Sequence, residues 1–356
     1  MTRNTTTEFE GWPSLLARLL AGRDLTAAQA EAATTEILTG AATASQMSAF
    51  LVALRAKGET SEELGGMLRA VRSAGTKVAL GASLAARAID IVGTGGDKSN
   101  SVNVSTMAAL VTAGAGVPVC KHGNRAASSK CGSADLLEAA GLAIELDAEG
   151  VEATIASSGF GFCLAPRFHP AFRHAGPSRR EIGVPTAFNL LGPMANPAPI
   201  TRMLVGVAMP EKMDTMAAAL GSRGIETAWV VHGHGGLDEL AVSGPNRVCE
   251  LRGGVVSRFE IDARTHGIAP SRPGDVLGGS PEDNLVALRS LVDGARGPVR
   301  DIVVFNAGCA LHIAGLAPGI DEGIERAAAS IDSGAAAGVL AAAVAESRRQ
   351  AERMGQ

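Results

Sequence analysis

Four stretches of the chain hold the residue types that do chemistry. The first is Asp90-Ile91-Val92-Gly93-Thr94-Gly95-Gly96-Asp97, a short apolar run that enters three glycines in four positions and then an acid. Asn103-Val104-Ser105-Thr106 follows and opens an apolar helix. Strand, glycine loop and helix N-terminus make an anion cradle: glycine lets backbone amides approach a phosphate, and Ser105 and Thr106 add hydroxyls beside free helix amides. The spacing is not a dinucleotide fingerprint, because Asp97 stands where a third glycine would fall, nor a Walker loop, because G-K-[ST] is absent. The glycines alone fit an ordinary turn equally well, and it is the polar helix opening that favours phosphate.

The second stretch, Lys121-His122-Gly123-Asn124-Arg125-Ala126-Ala127-Ser128-Ser129-Lys130-Cys131-Gly132-Ser133-Ala134-Asp135, directly follows a β-rich run. Its three cations, short hydroxyls and amide at the carboxyl end of a strand suit a polyphosphorylated ligand. A solvated basic loop is the alternative. The third comprises His169-Pro170-Ala171-Phe172-Arg173-His174 and Ser178-Arg179-Arg180-Glu181. If Pro170 starts a helix, Arg173 and Arg180 fall two turns apart and Arg179 points elsewhere. Read by itself, this pattern favours a surface helix with ion pairs over an arginine clamp for a carboxylate. The fourth is His232-Gly233-His234-Gly235-Gly236-Leu237-Asp238-Glu239. Adjacent acids face opposite ways in a regular strand but converge on a glycine-loosened loop, where hard oxygens suit Mg²⁺ carrying a phosphorylated substrate. A polar loop between strands is an equal alternative, and the two histidines lack a recognised zinc spacing.

The elements that must position these stretches divide the chain. Three capping boxes, Thr26-x-x-Gln29, Thr43-x-x-Gln46 and Thr60-x-x-Glu63, precede helical apolar stripes within the first 75 residues, with Gly58 and Gly75 where the helices should end. From about Ala86, β-rich runs (Ala88 to Val92, Val117 to Cys120, Met203 to Val207, Ala228 to His232) alternate with helical patterns such as Ser105 to Ala113, Glu211 to Leu220 and Pro281 to Val292. That alternation predicts a mostly parallel sheet flanked by helices. Glu239 to Val242 and Arg247 to Leu251 read as a hairpin around Ser243-Gly244-Pro245-Asn246, and an alanine-rich helix runs from Asp321 onward. The expected fold is α/β: a small helical domain over 1–80, completed by a helical segment near 170–200, and a larger α/β domain over 81–356.

At 356 residues the chain is long enough for two such units. Its net charge of -4, its 3% aromatics and its lack of tyrosine argue against a nucleic-acid binder, which would show basic patches and stacking platforms. Five scattered cysteines without a C-x-x-C, and a polar N-terminus, lead to the expectation of a reducing, cytoplasmic compartment with no membrane span.

Taken together, DIVGTGGD, NVST, KHGNRAASSKCGSAD, RFHPAFRHAGPSRREIG, FNLLGP with Asn196-Pro197, and GLDEL resemble the motifs of the anthranilate phosphoribosyltransferases. FLVALRAKGET is similar to that family's N-terminal helical domain, and the likeness runs from about residue 15 to 335. It implies a nucleoside phosphorylase/phosphoribosyltransferase type of fold, a homodimer through the helical domain, and transfer of a 5-phosphoribosyl group from phosphoribosyl pyrophosphate to anthranilate. By resemblance, Gly93, Gly96, Asp97, Ser101, Asn103, Val104, Ser105, Thr106, Lys121, His122, Gly123, Asn124, Arg125, Ala126, Ala127, Ser128, Ser129 and Ser133 bind phosphoribosyl pyrophosphate. Ser105, Asp238 and Glu239 match its Mg²⁺ positions. Gly93, Asn124 and Arg179 match its anthranilate contacts, with His122 and His169 as neighbours, so the resemblance reverses the surface reading of Arg179. No general base is assigned, and Lys121 is an electrostatic stabiliser. Two departures stand out. Lys98 replaces the glycine common after GTGGD, where a cation either tightens diphosphate binding or points outward, and Cys131 replaces a usual serine. The rival readings are a pyrimidine nucleoside phosphorylase, which the KHGN run and the acid pair oppose, and a catalytically silent nucleic-acid-binding relative.

Overall fold

The computed structural model describes residues 9–126 and 129–355. Helices α1 (Trp12–Leu20), α2 (Ala27–Leu38), α3 (Ala44–Lys57) and α4 (Ser61–Ala74) open the chain. Then come α5 (Ala82–Ala85), β1 (Ile89–Gly93), α6 (Val104–Gly114), β2 (Val119–Gly123), α7 (Ser133–Ala139), α8 (Ala148–Ser158) and β3 (Phe160–Leu164). After α9 (Ala165–Phe168), α10 (Gly176–Ile182) and α11 (Ala187–Met194), the chain returns through β4 (Arg202–Gly206), α12 (Met213–Ser222) and β5 (Thr227–His232). A hairpin of β6 (Asn246–Arg252) and β7 (Val255–Ile261) precedes α13 (Pro281–Val292), α14 (Pro298–Ile313), α15 (Ile320–Asp332) and α16 (Ala335–Gly355).

All three expected capping boxes form, each threonine accepting from the N3 amide while the N3 side chain reaches back. The helices pack closely because small residues meet: a Cβ on Gly66 of α4 would lie 2.0 Å from the carbonyl oxygen of Ala27 at the start of α2. Gly58 ends α3 with φ 93°, but Gly75 is extended rather than a left-handed cap. Glycine is required there because a Cβ would meet His169 Nδ1 at 2.7 Å. Both α10 and α11 lie against α3. Lys212 and Glu59 form a buried ion pair between the segment before α12 and the α3–α4 turn.

The seven strands run in the order β3-β2-β1-β4-β5-β6-β7, parallel from β3 to β5 and antiparallel in the last two pairings. Side chains alternate between two cores. Val92, Met203, Val205 and Val230 join the face covered by α8, α12 and the N-terminal helices, whereas Ile91, Leu204 and Trp229 join the face covered by α6 and α14. After β1 the chain builds outward to β3 and then crosses back to place β4 on the other side of β1. The crevice outside the carboxyl ends of β1 and β4 is therefore a topological switch point, where open α/β sheets bind ligands. Among the described residues no single helix is long and apolar enough to cross a membrane.

Three local expectations are corrected. Glu239 to Val242 is not a strand, because side chains take its backbone polar groups. Asn306 bonds both the amide and the carbonyl of Leu240, at 3.0 and 2.8 Å, and Asn246 Oδ1 accepts from Ala241 at 2.7 Å. The hairpin instead turns at Gly253-Gly254, both with positive φ, as a two-residue turn between twisted strands requires. Pro170 starts only a 3-10 turn to His174, separate from α10. The C-terminal helix is two helices, α15 and α16, bent by 64° after Gly334 (φ 78°) breaks the run.

Candidate active site

The site is built on two glycines that let a third segment touch the strand ends. A Cβ on Gly93, the last residue of β1, would meet Asp238 Oδ2 at 2.5 Å, and one on Gly206, at the end of β4, would lie 1.5 Å from the Asp238 carbonyl oxygen. Only glycine at both positions admits residues 237–239 to the switch point. Asp238 Oδ2 accepts from the Gly95 amide at 2.6 Å, and the Asp238 amide donates to Asp97 Oδ2 at 3.4 Å. Glu239 Oε1 accepts from the Ser105 amide at 2.9 Å in the first turn of α6. The amides of Gly95 and Ser105 are thus not free for phosphate. They hold the carboxylates, which the positive end of the helix dipole favours.

Three acids, Asp97, Asp238 and Glu239, therefore lie close together. Burial, reinforced by Asp97, pushes the Asp238 carboxyl up to about 7, and burial together with Asp238 pushes Glu239 well above the usual range. Two hard carboxylates beside the Ser105 hydroxyl fit a Mg²⁺ that takes its remaining ligands from substrate phosphate oxygens. Among the described residues no three acids, histidines or cysteines form a metal cage by themselves. Lys121, in the middle of β2, is wholly buried and donates to the Ile91 carbonyl at 2.6 Å and to Ser105 Oγ at 3.3 Å. Burial lowers its ammonium to about 8, against the opposing pull of Asp90, Glu239 and Asp238.

The rest of the KHGN loop divides its work. Arg125 is tied to Glu138 at 2.7 Å and to Asp135 at 3.2 Å. Asp135 Oδ2 also accepts from the amides of Ala126 and Gly132 at 2.8 and 2.9 Å, which closes the loop onto α7. Of the three cations expected there, one is buried at the carboxylates, one is in ion pairs, and Lys130 is exposed. Gly123 packs against Phe162 and Ser133, and Asn124 and Ser129 are exposed on the loop. Ala127 and Ser128 lie outside the described residues. Val104 is a core residue, Thr106 is buried with no partner for its hydroxyl among the described residues, and Asn103 donates to the Cys131 carbonyl at 3.1 Å. Gly96 and Ser101 are on the same loop, Gly96 at φ 83° and Ser101 bridged to Leu277.

A second wall begins at His122. Its Nδ1 lies 3.1 Å from the Gly192 carbonyl, and His169 Nε2 lies 2.9 Å from that of Ala195. A carbonyl only accepts, so these nitrogens carry the protons, leaving His122 Nε2 as a buried acceptor with no partner among the described residues, whereas His169 Nδ1 is packed against Gly75. Burial holds both rings neutral, lowering His169 to about 4 and His122 well below its usual value. The rings meet edge-on at 5.2 Å, His169 stacks on Phe172, and Phe172 meets Phe188. The Arg179 guanidinium lies 5.5 Å from the centre of the Phe188 ring, donates to Asn189 Oδ1 at 3.3 Å, and is lowered by burial. The surface ion-pair reading of this segment fails for Arg179, whereas Arg173 and Arg180 are exposed.

Sequence reasoning missed the support beneath this wall. Asp90, buried in β1, accepts from the His122 amide at 3.2 Å and from Asn196 Nδ2 at 2.8 Å, and Asn196 also donates to the Cys120 carbonyl at 2.7 Å. Burial pushes the Asp90 carboxyl up to about 6, against Lys121. An acid inside an otherwise apolar strand run was the available signal.

The chain is similar to known proteins over both its helical and its α/β part. Residues 13–75 match the helical bundle domain of the Glycosyl transferase family, and residues 85–337 match its a/b domain. The anthranilate phosphoribosyltransferase of Rhodospirillum rubrum is 49% identical over 331 residues, covering 93% of this chain and 94% of the relative. The crystal structure of the Thermus thermophilus enzyme of that name superposes with a TM-score of 0.88 at 40% identity, covering 94% and 99% of the two chains. The Saccharomyces cerevisiae enzyme in complex with PRPP and Mg superposes with a TM-score of 0.86 at 28% identity, covering 95% and 98%. With both domains matched, and with close to half its residues shared along nearly its whole length, the chain belongs to the anthranilate phosphoribosyltransferase family.

Proposed function

We propose that the chain transfers the 5-phosphoribosyl group of phosphoribosyl pyrophosphate to the amine of anthranilate, releasing pyrophosphate, as a step of tryptophan biosynthesis. The observation that carries this reading is the Asp238–Glu239 pair pressed through Gly93 and Gly206 onto the glycine loop and Lys121, beside the neutral His122–His169 wall. The bond from the anomeric carbon to the diphosphate oxygen breaks, the bond from that carbon to the amine nitrogen forms, and the nitrogen, cationic once bonded, loses a proton to solvent. Mg²⁺, when bound by Asp238, Glu239 and the Ser105 hydroxyl, supplies positive charge to the departing diphosphate. Lys121 adds a fixed cation in a water-poor position, where it costs little reorganisation.

The unpartnered His122 Nε2, backed by the His169 ring, suits an amine hydrogen of the acceptor, and Arg179 suits its carboxylate. Gly93 and Asn124 complete the anthranilate contacts. The glycine loop, residues 101–106, the KHGN run with Ser129, and Ser133 form the phosphoribosyl pyrophosphate surface. Anthranilate already has a nucleophilic nitrogen, so positioning rather than a strong base carries the rate. Loss of anthranilate fluorescence on mixing with phosphoribosyl pyrophosphate and Mg²⁺ tests the reading, and no loss at any metal concentration would reject it.

The same reading divides the chain into a helical unit of 1–80 completed near 170–200 and an α/β unit of 81–356, working as a cytoplasmic homodimer. Leu20 of α1 and Val52 of α3, 79% and 47% exposed, support a dimer contact through the helical unit. Sedimentation at about twice 36.0 kDa would agree, and a monomer would refute it.

A further inference from the structure

Among the described residues, Lys98 and Asn100 are the two non-glycine residues with positive φ, 61° and 51°, and both lie between the glycine loop and α6. Asparagine enters that region readily because its short amide bonds the local backbone, whereas a lysine crowds its Cβ against the following carbonyl. The conformation is over-determined by its surroundings. The Ser99 amide donates to Asp97 Oδ1 at 3.1 Å, the Ser101 amide to Ser99 Oγ at 3.2 Å, and the Gly278 amide to the Asn100 carbonyl at 2.8 Å. A disfavoured backbone held this firmly, carrying a long cation where glycine would be unstrained, points to a use for the side chain.

The place of that side chain indicates the use. Lys98 is exposed and is in none of the ion pairs among the described residues. It lines a cavity of about 230 Å³ together with Asp97, Gly236, Leu237, Ser271 and Arg272. Leu237 directly precedes the carboxylate pair, and Asp97 bonds the Asp238 amide, so this cavity adjoins the spot where a metal-bound diphosphate is held.

We propose that Lys98 is a diphosphate-binding residue of this chain, adding a second cation to that of Lys121 and selecting a diphosphate over a single phosphate. This assignment rests on the phosphoribosyl transfer reading. Calorimetric titration of the full chain with phosphoribosyl pyrophosphate, with pyrophosphate and with ribose 5-phosphate, each with Mg²⁺, tests it in the wild type, Lys98→Gln and Lys98→Gly. Both variants should bind the two diphosphates about tenfold more weakly, with a shallower salt dependence, and ribose 5-phosphate unchanged. Lys98→Gly should also melt roughly 1–2 °C higher because the left-handed strain is gone, whereas Lys98→Gln should not. A rise in melting temperature with unchanged diphosphate affinity would overturn the proposal, as would equal weakening toward ribose 5-phosphate. Wild-type protein that binds no phosphoribosyl pyrophosphate would overturn the transfer reading itself, and this assignment with it.

Discussion

Replacing Arg179 with alanine isolates the recognition of the acceptor. The guanidinium is half-buried against Phe188 and has one long hydrogen bond to Asn189, with no carboxylate partner among the described residues. Its desolvation is therefore under-compensated, which is why burial lowers its pKa. An arriving carboxylate restores the missing partner through a two-pronged, charge-assisted contact. Such a contact is worth about 2–3 kcal/mol, or roughly 30- to 150-fold in kcat/KM. The stacking on Phe188, about 0.5–1 kcal/mol, is present with and without acceptor, so it should register in melting temperature and not in acceptor affinity. Arg179→Ala should raise the KM for anthranilate, leaving that for phosphoribosyl pyrophosphate within about twofold. Arg179→Lys should recover only part of the loss, because an ammonium cannot reproduce the planar fork. Continuous anthranilate fluorescence at saturating phosphoribosyl pyrophosphate measures all three. Equal kcat/KM values would refute the reasoning, and a matched rise in both Michaelis constants would mean that Arg179 supports the fold of the site rather than the acceptor.

The remaining predictions concern the metal, the strand ends and pH. Asp238→Asn with Glu239→Gln keeps volume and removes two charges, so turnover should fall by orders of magnitude and binding of phosphoribosyl pyrophosphate should lose its Mg²⁺ dependence; near-normal turnover would sink the assignment. Gly206→Ala places a methyl 1.5 Å from the Asp238 carbonyl, so the carboxylate segment must move, and activity should fall far more than the far-ultraviolet dichroism changes. Wild-type activity in that variant would contradict the packing. Asp90 titrates near 6 when folded against 3.8 in its ordinary state, so the native chain binds the extra proton between these values. Stability from this residue is present below about 4 and declines as pH rises through 6, by on the order of 3 kcal/mol. Urea unfolding between pH 4 and 7 should show that decline in the wild type and a flatter profile in Asp90→Asn; identical slopes would rule the residue out as its source.

Much of the architecture is legible without coordinates because it is decided locally. A threonine three residues before glutamine or glutamate satisfies helix-end amides within one turn, and all three such boxes are realised. Four of the five parallel strands are legible as β-rich runs, two of them followed by a helical period, and Pro281 marks the start of α13. Phe160–Leu164 is not, since a five-residue run with a glycine in it carries no alternation of apolar and polar residues. The hairpin is misplaced by pattern alone because Asn246 and Asn306 are distant from, or outside, the segment whose backbone they satisfy.

The candidate residues are legible as types, and the resemblance names their roles, but their states belong to the tertiary fold. Sequence alone presents Asp238 and Glu239 as an acid pair on a glycine-rich loop, and Arg179 as one arginine among several in a helix. The convergence of the acids on the glycine loop depends on Gly93 and Gly206, remote in the chain, at the ends of strands that become neighbours only when the chain crosses back at the switch point. Burial then decides the chemistry. It makes Lys121 a desolvated cation, His122 and His169 neutral rings, and Arg179 a guanidinium short of a partner. Residue identity and local spacing determine which elements form and which groups are available. Desolvation and close backbone approach depend on the surroundings in three dimensions, and so only the tertiary structure could decide them.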